Sequence, residues 1–338
     1  MNQTKIKAEI VGHSLNPQGD ELISVLCTFP RIILAEVNTH RMLSKNTSSS
    51  RAIPFNKMVE AIENDPFIPI AWQKEHKGMQ GTEYLTDRKH ENVVYEWLKA
   101  KDYAIKQATI MNNDGVTKQL CNRLLEPFMW TTMLITGSRE GWENLFELRC
   151  PSYEVPYPKE VKKYKSKKEV RKENHNLTIN YTDLNWLELN KGQAEIHMMA
   201  LAEAIYDAVN ESTPKQLKAG EWHIPFINKI VESSITLSNE DLVKISTAMA
   251  ARTSYTVVGE EKEVNYSKMI ELHDRLLAQT PPHSSPLEHT ARAMSEVEYT
   301  SSKSTGFTRK GKDQYGWCYN LKGFIPYRYM IDNKTNIE

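Results

Sequence analysis

The first 30 residues predict two β-strands joined by a turn. Ile6, Ala8 and Ile10 alternate with polar residues, and a second apolar run covers residues 22–29. Gly19 and Asp20 lie between the two runs and favour a turn. The chain therefore opens with sheet-forming segments.

Most of the remaining pattern is helical. Pro30 suits a helix start, residues 31–44 continue with helical spacing, and residues 45–54 predict a serine-rich loop or a frayed helix end. Residues 91–125 predict two helices broken at residues 113–115, and residues 128–149 predict another mostly helical segment. Helical spacing resumes over residues 193–209. A new unit begins with Ser238 as an N-cap and includes a long helix at about residues 267–280.

Residues 152–191 differ sharply from their surroundings, because they are rich in charge and poor in apolar periodicity. This composition predicts an inserted, solvated excursion rather than core. The alternative is that its lysines form the working surface of a binding protein.

The charge balance excludes a global field that would recruit nucleic acid, since Lys plus Arg equals Asp plus Glu at 43 each. An anionic ligand must then be held by a local cluster of arginines. The sequence has no apolar run long enough to span a membrane and no signal-peptide pattern at its start. The four cysteines are far apart and form no CxxC pair, which predicts reduced thiols, a cytoplasmic location and no metal site.

A first group of polar residues could carry chemistry near residue 45. It comprises His40, Arg41, Ser44, Asn46, Ser49 and Arg51. On a helix, His40 and Ser44 would share one face, and the serines beyond could present backbone amides to a phosphate. Guanidinium groups pair bidentately with phosphate oxygens, so this group suits a phosphorylated ligand. The alternative is a polar helix end with capping serines.

Arg123 and Arg149 each lie at the end of an apolar helical segment. An arginine in such a place needs a partner, because a buried lone charge is costly. That partner is either an anionic ligand or a nearby carboxylate such as Glu126 or Glu147.

Residues 283–289 contain two histidines and a glutamate, but Pro286 interrupts any helical metal-binding face. A turn followed by a helix or strand is expected there. Glu288 and the histidines could hydrogen-bond a heterocycle, or the serines could simply cap a helix.

Together these segments resemble the flavin-dependent thymidylate synthases, also called thymidylate synthase complementing proteins. The family signature is an Arg-His-Arg triplet followed by spaced Ser, Asn, Glu, Ser and Arg. Residues that match it in register are His40, Arg41, Ser44, Asn46, Ser49 and Arg51. Further segments similar to family motifs are residues 122–127, 144–149, 193–196, 250–255 and 283–289.

The order of the motifs differs from the family, in which the segments similar to residues 250–255 and 283–289 come before the arginine-rich motif. The resemblance therefore implies a circular permutation or a partial duplication, which surface termini tolerate. Residues 1–237 would form the main synthase-like domain with the charged insert at about 152–191. Residues 238–338 would resemble the N-terminal part of the family and complete the same fold.

The resemblance implies an α/β (α+β) fold, with a mixed or antiparallel sheet packed against long helices, and a homo-oligomer, either tetramer or dimer. It implies transfer of a one-carbon unit from methylenetetrahydrofolate to C5 of dUMP, with FAD as cofactor and NADPH as reductant. The cofactor-binding residues would be His40, Arg41, Ser44, Asn144, Ser254, His283, Ser285 and Glu288. The nucleotide-binding residues would be Ser49, Ser50, Arg51, Arg123 and Arg149, of which Arg149 and Ser49 take the catalytic positions.

Three positions depart from the family pattern. Thr39 stands in place of the first arginine of the triplet, Thr47 in place of a glutamate near the nucleotide, and Ser138 in place of an asparagine that helps to hold the flavin. Losing a charged hydrogen bond costs roughly 1.5–3 kcal/mol. Such changes leave open a related modification of another pyrimidine nucleotide, or a non-catalytic nucleotide-binding or structural homologue.

Overall fold

The structure is a computed structural model. It describes residues 5–77, 81, 83–173, 183–231, 237–255, 258, 264–302 and 315–335. Within them the chain is a mixed α+β structure. The strands are β1 (Lys7–Leu15), β2 (Glu21–Pro30), β3 (Ser44–Thr47), β4 (Trp130–Ser138), β5 (Tyr153–Pro156), β6 (Val161–Tyr164), β7 (Lys215–Gln216), β8 (Trp222–His223), β9 (Ala291–Ala293), β10 (Trp317–Cys318), β11 (Leu321–Lys322) and β12 (Phe324–Pro326).

The α-helices lie between and after these strands. They are α1 (Leu34–Asn38), α2 (Phe55–Asn64), α3 (Asp87–Asn113), α4 (Lys118–Cys121), α5 (Arg139–Arg149), α6 (Lys167–Glu173), α7 (Asp183–Leu189), α8 (Ile196–Glu211), α9 (Ile227–Val231), α10 (Asn239–Arg252), α11 (Tyr266–Leu277), α12 (Glu296–Ser301) and α13 (Tyr327–Asp332). Short 3₁₀ helices span Arg31–Ile33, Asn122–Phe128, Thr253–Tyr255 and Ser285–Glu288.

The central sheet has the order β3-β4-β2-β1-β7, with antiparallel pairs except for the short parallel pair of β1 and β7. The predicted strand pair at the N-terminus is confirmed. Its turn is closed by Asn16, whose side-chain oxygen accepts from the backbone N–H groups of Gln18 and Asp20, and Gly19 supplies the positive φ of 89°.

Both faces of β2 are covered, which explains why its apolar run is nearly continuous. Ile23, Val25 and Cys27 belong to one core with side chains of α5 and α8. On the other side, Leu22 packs in a second core with residues of β9, β11 and β12. The sheet is therefore a layer between helices contributed by the first two thirds of the chain and elements from its last third.

A chain of buried polar groups also connects the sheet to the C-terminal elements. His223 contacts Ser14 Oγ through Nδ1 and Ser24 Oγ through Nε2, both at 2.8 Å. Ser24 Oγ lies 2.6 Å from Thr136 Oγ1, which lies 2.8 Å from Nδ1 of His289. Burial lowers the pKa of His223 and of His289 to about 3, so both rings are neutral at pH 7.

Several predicted helices are confirmed. The break at residues 113–115 separates α3 from α4, and α8, α10 and α11 occupy the expected segments. Ser238 caps α10 in a capping box with Asp241. The turn expected at residues 283–289 is the 3₁₀ helix Ser285–Glu288, followed by β9.

Two helix predictions were wrong. The helix expected over residues 31–44 ends at Asn38, and Ser44 instead begins β3, paired with Thr136 of β4. The segment expected to be helical from residue 128 is strand β4 up to Ser138 and becomes helix only at Arg139. A short apolar run does not distinguish a buried strand from a helix, and pairing with β2 and β3 decided the outcome here.

The charged segment is not a solvated excursion where the structure describes it. Strands β5 and β6 pair, and a small core there contains Tyr153, Val155, Tyr164, Val170 and Trp186. Glu203 of α8 accepts hydrogen bonds from the hydroxyl of Tyr153 (3.0 Å) and the backbone N–H of Lys167 (2.7 Å). The prediction missed this core because its few aromatic residues are spread among many lysines. Residues 174–182 lie outside the described residues.

The boundary expected at residue 237 is crossed by strand pairing, since β8 pairs with β9 and β9 pairs with β12. Leu321 and Phe324, from the described residues 315–335, pack in one core with Leu22 of the central sheet. The assignment of the two parts to one synthase-like fold stays a prediction.

Candidate functional site

The short connection before β3 is held by close packing on two glycines. Leu43 is buried, and its Cδ2 lies where a Cβ on Gly137 would fall, at 2.3 Å, and close to one on Gly141, at 3.0 Å. A larger residue at Gly137 would displace Leu43. This contact anchors the connection at the junction of β4 and α5, so that Arg41 lies just before β3 and Ser44 begins it.

Asn46 is the point at which three distant segments meet. Its buried side-chain amide donates to the carbonyl oxygen of Ala250 at the end of α10. Its side-chain oxygen accepts hydrogen bonds from the hydroxyls of Ser254, at 3.3 Å, and Ser285, at 3.2 Å. The backbone N–H of Ser49 donates to the carbonyl of Ser254 at 3.0 Å, which adds a main-chain link to the same contact.

A cleft of about 590 Å³ opens beside this meeting point. The residues that line it are Asn38, Arg41, Leu43, Ser44, Lys45, Glu288, Tyr319, Asn320 and Arg328. One wall comes from the segment that leads into β3, and the other comes from the 3₁₀ helix at Glu288, the β10–β11 turn and α13.

The charge of the cleft is mainly positive. Arg41 is exposed, and Lys45 is half-buried with its Nζ donating to the carbonyl of His40 at 2.6 Å. Burial lowers the pKa of Lys45 to about 8, against the opposing effect of Glu288. Arg328 forms an ion pair with Glu288 and a longer one, at 3.5 Å, with Asp332. The surplus of cations favours an anionic ligand.

Asn320 fastens the two walls together. Its side-chain amide donates to the hydroxyl of Ser44 at 2.9 Å and to the carbonyl of Met42 at 3.4 Å. The hairpin turn that carries Asn320 is therefore fixed against the start of β3.

His40 and Arg149 meet just behind the cleft wall. Nε of Arg149 donates to Nε2 of buried His40 at 3.1 Å, and Arg149 also approaches Glu36 at 3.9 Å. Burial, with the charges of Arg149 and Lys45, lowers the pKa of His40 to about 4. Glu36 is thus a carboxylate near Arg149 that the sequence did not suggest.

A second cluster lies past the other end of β3. Glu126 pairs with Arg31 at 3.3 Å and with Arg123 at 2.9 Å, and it accepts from the hydroxyl of Ser50 at 2.6 Å. Arg123 thus pairs with Glu126, the nearby carboxylate that was one of the two partners predicted from the sequence. Arg51 is exposed nearby in the chain.

The predicted nucleotide-binding residues therefore fall into two groups. Arg149 lies near the start of β3, whereas Ser49, Ser50, Arg51 and Arg123 lie beyond its end. The four residues of β3 alone separate the groups by ~10 Å. The prediction that His40 and Ser44 share one face of a helix is wrong, because Ser44 belongs to a strand and pairs with Thr136.

Some predicted cofactor residues line the cleft and others do not. Arg41, Ser44 and Glu288 line it, and the carbonyl of His40 contacts the lining residue Lys45. Ser254 and Ser285 bond to Asn46, which is not itself among the lining residues. Asn144 is half-buried on α5 and His283 is exposed, and neither is among the described residues that line the cleft.

The residues at the three departures use their hydroxyls within the fold. Thr39 donates to the carbonyl of Glu36 at 2.7 Å, and Thr47 donates to the carbonyl of Thr132 at 3.3 Å. Ser138 accepts from the backbone N–H of Lys322 at 2.7 Å. Each substitute residue thus has a structural partner.

The sequence interpretation missed Lys45, Tyr319, Asn320 and Arg328. Tyr319 and Asn320 join two strands of only two residues each, and Tyr-Asn is not one of the dipeptides that signal a two-residue hairpin turn. Arg328 lies in the largely apolar segment at residues 323–331, which matches none of the motifs above.

Among the residues that the structure describes, no group of three or more His, Cys, Asp or Glu side chains is arranged to hold a metal ion. The four cysteines are buried and free. In the same part of the chain, none of the helices combines the length and apolar character needed to cross a bilayer.

Comparison with known proteins does not assign this chain to a family. No family model matches the chain, and no curated protein matches it. Among solved structures, the chain is similar to the UMP/dUMP methylase PolB from Streptomyces cacaoi, bound with 5-Br dUMP (13% identity, 46% of this chain and 82% of that chain) and with 5-Br UMP (15% identity, 46% and 81%). The TM-score is 0.37 in both cases, which is too low to establish a shared fold.

Proposed function

We propose that this chain is a flavin-dependent enzyme that transfers a one-carbon unit from methylenetetrahydrofolate to C5 of dUMP, with FAD as cofactor and NADPH as reductant. The convergence on Asn46 is the observation that supports this proposal. Asn46, Ser254 and Ser285 belong to segments that the sequence resemblance selected, and the two serines lie 208 and 239 residues from Asn46 in the chain. Their meeting beside one cationic cleft is what a single site requires.

The cleft suits FAD in its chemistry. Arg41 and Lys45 supply positive charge for a pyrophosphate, and Ser44 and Asn320 supply hydrogen-bonding groups beside them. The volume of about 590 Å³ lies within the range of roughly 300–1,000 Å³ for small-molecule sites. The proposal assigns cofactor binding to His40, Arg41, Ser44, Asn144, Ser254, His283, Ser285 and Glu288.

The nucleotide is assigned to Ser49, Ser50, Arg51, Arg123 and Arg149. Because these residues lie at both ends of β3, we propose that a homo-oligomer, dimer or tetramer, brings the two groups to one site. An arrangement of this kind lets Arg149 of one subunit act with Arg51 and Arg123 of another.

When bound, FAD supplies the hydride chemistry that side chains cannot perform. The chain itself binds and orients the cofactor and the nucleotide. Arg149, held by His40 and Glu36, is placed to stabilise negative charge that develops on pyrimidine carbonyl oxygens. Ser49 has no histidine or carboxylate bonded to its hydroxyl in the described part of the chain, so its proposed role is to bind rather than to attack.

A second candidate function is binding of flavin or pyrimidine nucleotide without turnover, or with turnover of a different pyrimidine. The observation that favours it is the internal use of the Thr39, Thr47 and Ser138 hydroxyls, which stand where the family has an arginine, a glutamate and an asparagine. These groups give a ligand fewer charged contacts than the family pattern implies.

Binding and turnover are tested separately on the purified full chain. FAD uptake is measured by flavin absorbance after removal of free cofactor, and dUMP affinity is measured by calorimetry. Arg41→Ala should lower FAD affinity about tenfold, from the loss of a charge-assisted contact worth roughly 1.5 kcal/mol. Arg88→Ala, an exposed arginine on α3, is the matched control and should bind as the parent does.

Turnover is followed by tritium release from C5-labelled dUMP with NADPH and methylenetetrahydrofolate. Release with bound FAD supports the synthase, and binding without release supports the second candidate. A chain that takes up neither FAD nor any pyrimidine nucleotide contradicts both.

A further inference from the structure

Tyr319 has a backbone conformation that a tyrosine rarely adopts. It is the first of two residues that join β10 to β11, and its φ is +52°. Hairpins with two-residue turns place glycine, asparagine or aspartate at positions with positive φ, because a larger side chain is strained there. A bulky residue at such a position has a strained backbone, which persists only when surrounding contacts hold it in place.

Burial does not explain the choice of tyrosine, since 53% of the residue remains exposed. The ring is nevertheless held in place. Its hydroxyl donates to a carboxylate oxygen of Asp332 at 3.0 Å, and its centroid lies 5.5 Å from that of Tyr329 in an edge contact and 6.0 Å from the guanidinium carbon of Arg328. The turn thus presents a half-exposed aromatic ring in a fixed orientation.

The ring is presented to the cleft. Tyr319 lines it together with Arg41, Lys45 and Arg328, and Asn320 ties the same turn to Ser44 of the opposite wall. An aromatic surface in the same cleft as a cluster of cations matches a ligand that joins a planar heterocycle to phosphate groups. Stacking on an aromatic side chain and ion pairing with basic groups are the two contacts that such ligands use.

We infer that Tyr319 is a ligand-binding residue whose ring stacks on a planar heterocycle of the ligand whose phosphates contact Arg41 and Lys45. This inference rests on the proposed function for the identity of the ligand as a flavin or nucleotide. It accounts for a strained tyrosine at a turn where glycine or asparagine would fold more easily.

The test compares two substitutions at residue 319. Tyr319→Asn removes the ring but tolerates positive φ, so the turn is retained. Tyr319→Phe keeps the ring and removes only the hydroxyl. Tyr95→Asn, at an exposed tyrosine on α3, is the matched control. Melting temperatures of the ligand-free variants report the structural effect of each change.

Each protein is titrated with FAD, FMN, ADP and dUMP. Tyr319→Asn should bind at least one of them roughly fivefold to 100-fold more weakly, the range expected for loss of one stacking contact. Tyr319→Phe and Tyr95→Asn should bind within threefold of the parent. A loss confined to FAD and FMN identifies the flavin ring as the partner, a loss with FAD and ADP identifies adenine, and a loss with dUMP alone identifies the pyrimidine.

Two results overturn the inference while leaving the proposed function standing. One is a parent protein that binds FAD or dUMP with a Tyr319→Asn variant of equal affinity for every probe. The other is a Tyr319→Phe variant that loses as much affinity as Tyr319→Asn, which would assign the effect to the hydroxyl. A parent protein that binds none of the four probes contradicts the proposed function and the inference together.

Discussion

Arg149 donates a hydrogen bond from Nε to Nε2 of His40 across 3.1 Å. Since the guanidinium is always protonated, His40 must accept at Nε2 and carry its proton on Nδ1. The charge of Arg149 and the neutrality of His40 are therefore linked, and both lie directly behind the cationic cleft.

Replacing Arg149 tests its role in holding an anion. Arg149→Ala should weaken binding of dUMP by more than tenfold, because a charge-assisted contact to a nucleotide is lost. Arg149→Lys should recover only part of the affinity, since lysine lacks the Nε donor and the planar fork. Calorimetric titration measures both.

Arg139→Ala, at the opposite end of α5, is the matched control for Arg149→Ala. It should leave nucleotide affinity unchanged. Equal affinity in the Arg149→Ala protein would remove Arg149 from the proposed site.

The stability of the fold should fall in mild acid. The folded-state pKa values of His40 (about 4), His223 and His289 (about 3 each) lie below the ordinary value of 6.5, first because of burial. Between pH 6.5 and 4 the unfolded chain binds more protons than the folded one, so the stabilisation present above pH 6.5 is lost as pH falls. The lowered pKa values of His13 and His273 act in the same direction.

Urea denaturation at pH 7.5, 6.0 and 5.0 measures this dependence. The free energy of unfolding should decline by about 1.4 kcal/mol per pH unit for each histidine that stays neutral in the fold. His289→Gln should make the decline shallower. A free energy that stays constant from pH 7.5 to 5.0 would show that these rings titrate normally.

Anion binding in the cleft should weaken in mild alkali because of Lys45. Its pKa of about 8 means that the charge is present at pH 7 and lost as pH rises through that value. FAD or dUMP affinity should fall about tenfold between pH 7 and 9, from a contact worth ~1.5 kcal/mol. Lys45→Arg keeps its charge over this range and should flatten the profile; a profile with the same slope in both proteins would exclude Lys45 as the cause.

Asn46 should matter for stability as well as for the site. Asn46→Ala removes the partner of two hydroxyls and of the Ala250 carbonyl, and should lower the free energy of unfolding by about 1–3 kcal/mol. Chemical denaturation provides the measurement. Asn56→Ala, at an exposed position on α2, is the control and should change stability by less than about 0.5 kcal/mol. A variant at residue 46 that is as stable as this control would show that Asn46 does not join the segments.

Much of the site was accessible from local sequence. Arg41, Ser44 and Glu288, which line the cleft, and Asn46, Ser254 and Ser285, which meet beside it, all lie in segments that resemble family motifs. The segments wrongly predicted as helix are those in which pairing with neighbouring strands outweighed the local spacing of apolar residues. Polar Ser44–Thr47 became a strand because β4 offered an edge, and the run at Trp130–Ser138 became a strand because it lies between β2 and β3.

The sequence alone determined which residue types are available for a phosphorylated ligand, where the N-terminal hairpin turns, and where the long helices α3, α8 and α11 run, because those depend on neighbours a few positions apart. Only the tertiary structure decided that Lys45 shares one cleft with Tyr319, Asn320 and Arg328. These relationships depend on how the last third of the chain packs across β3 and β4. Contacts between residues hundreds of positions apart leave no periodic trace in the sequence.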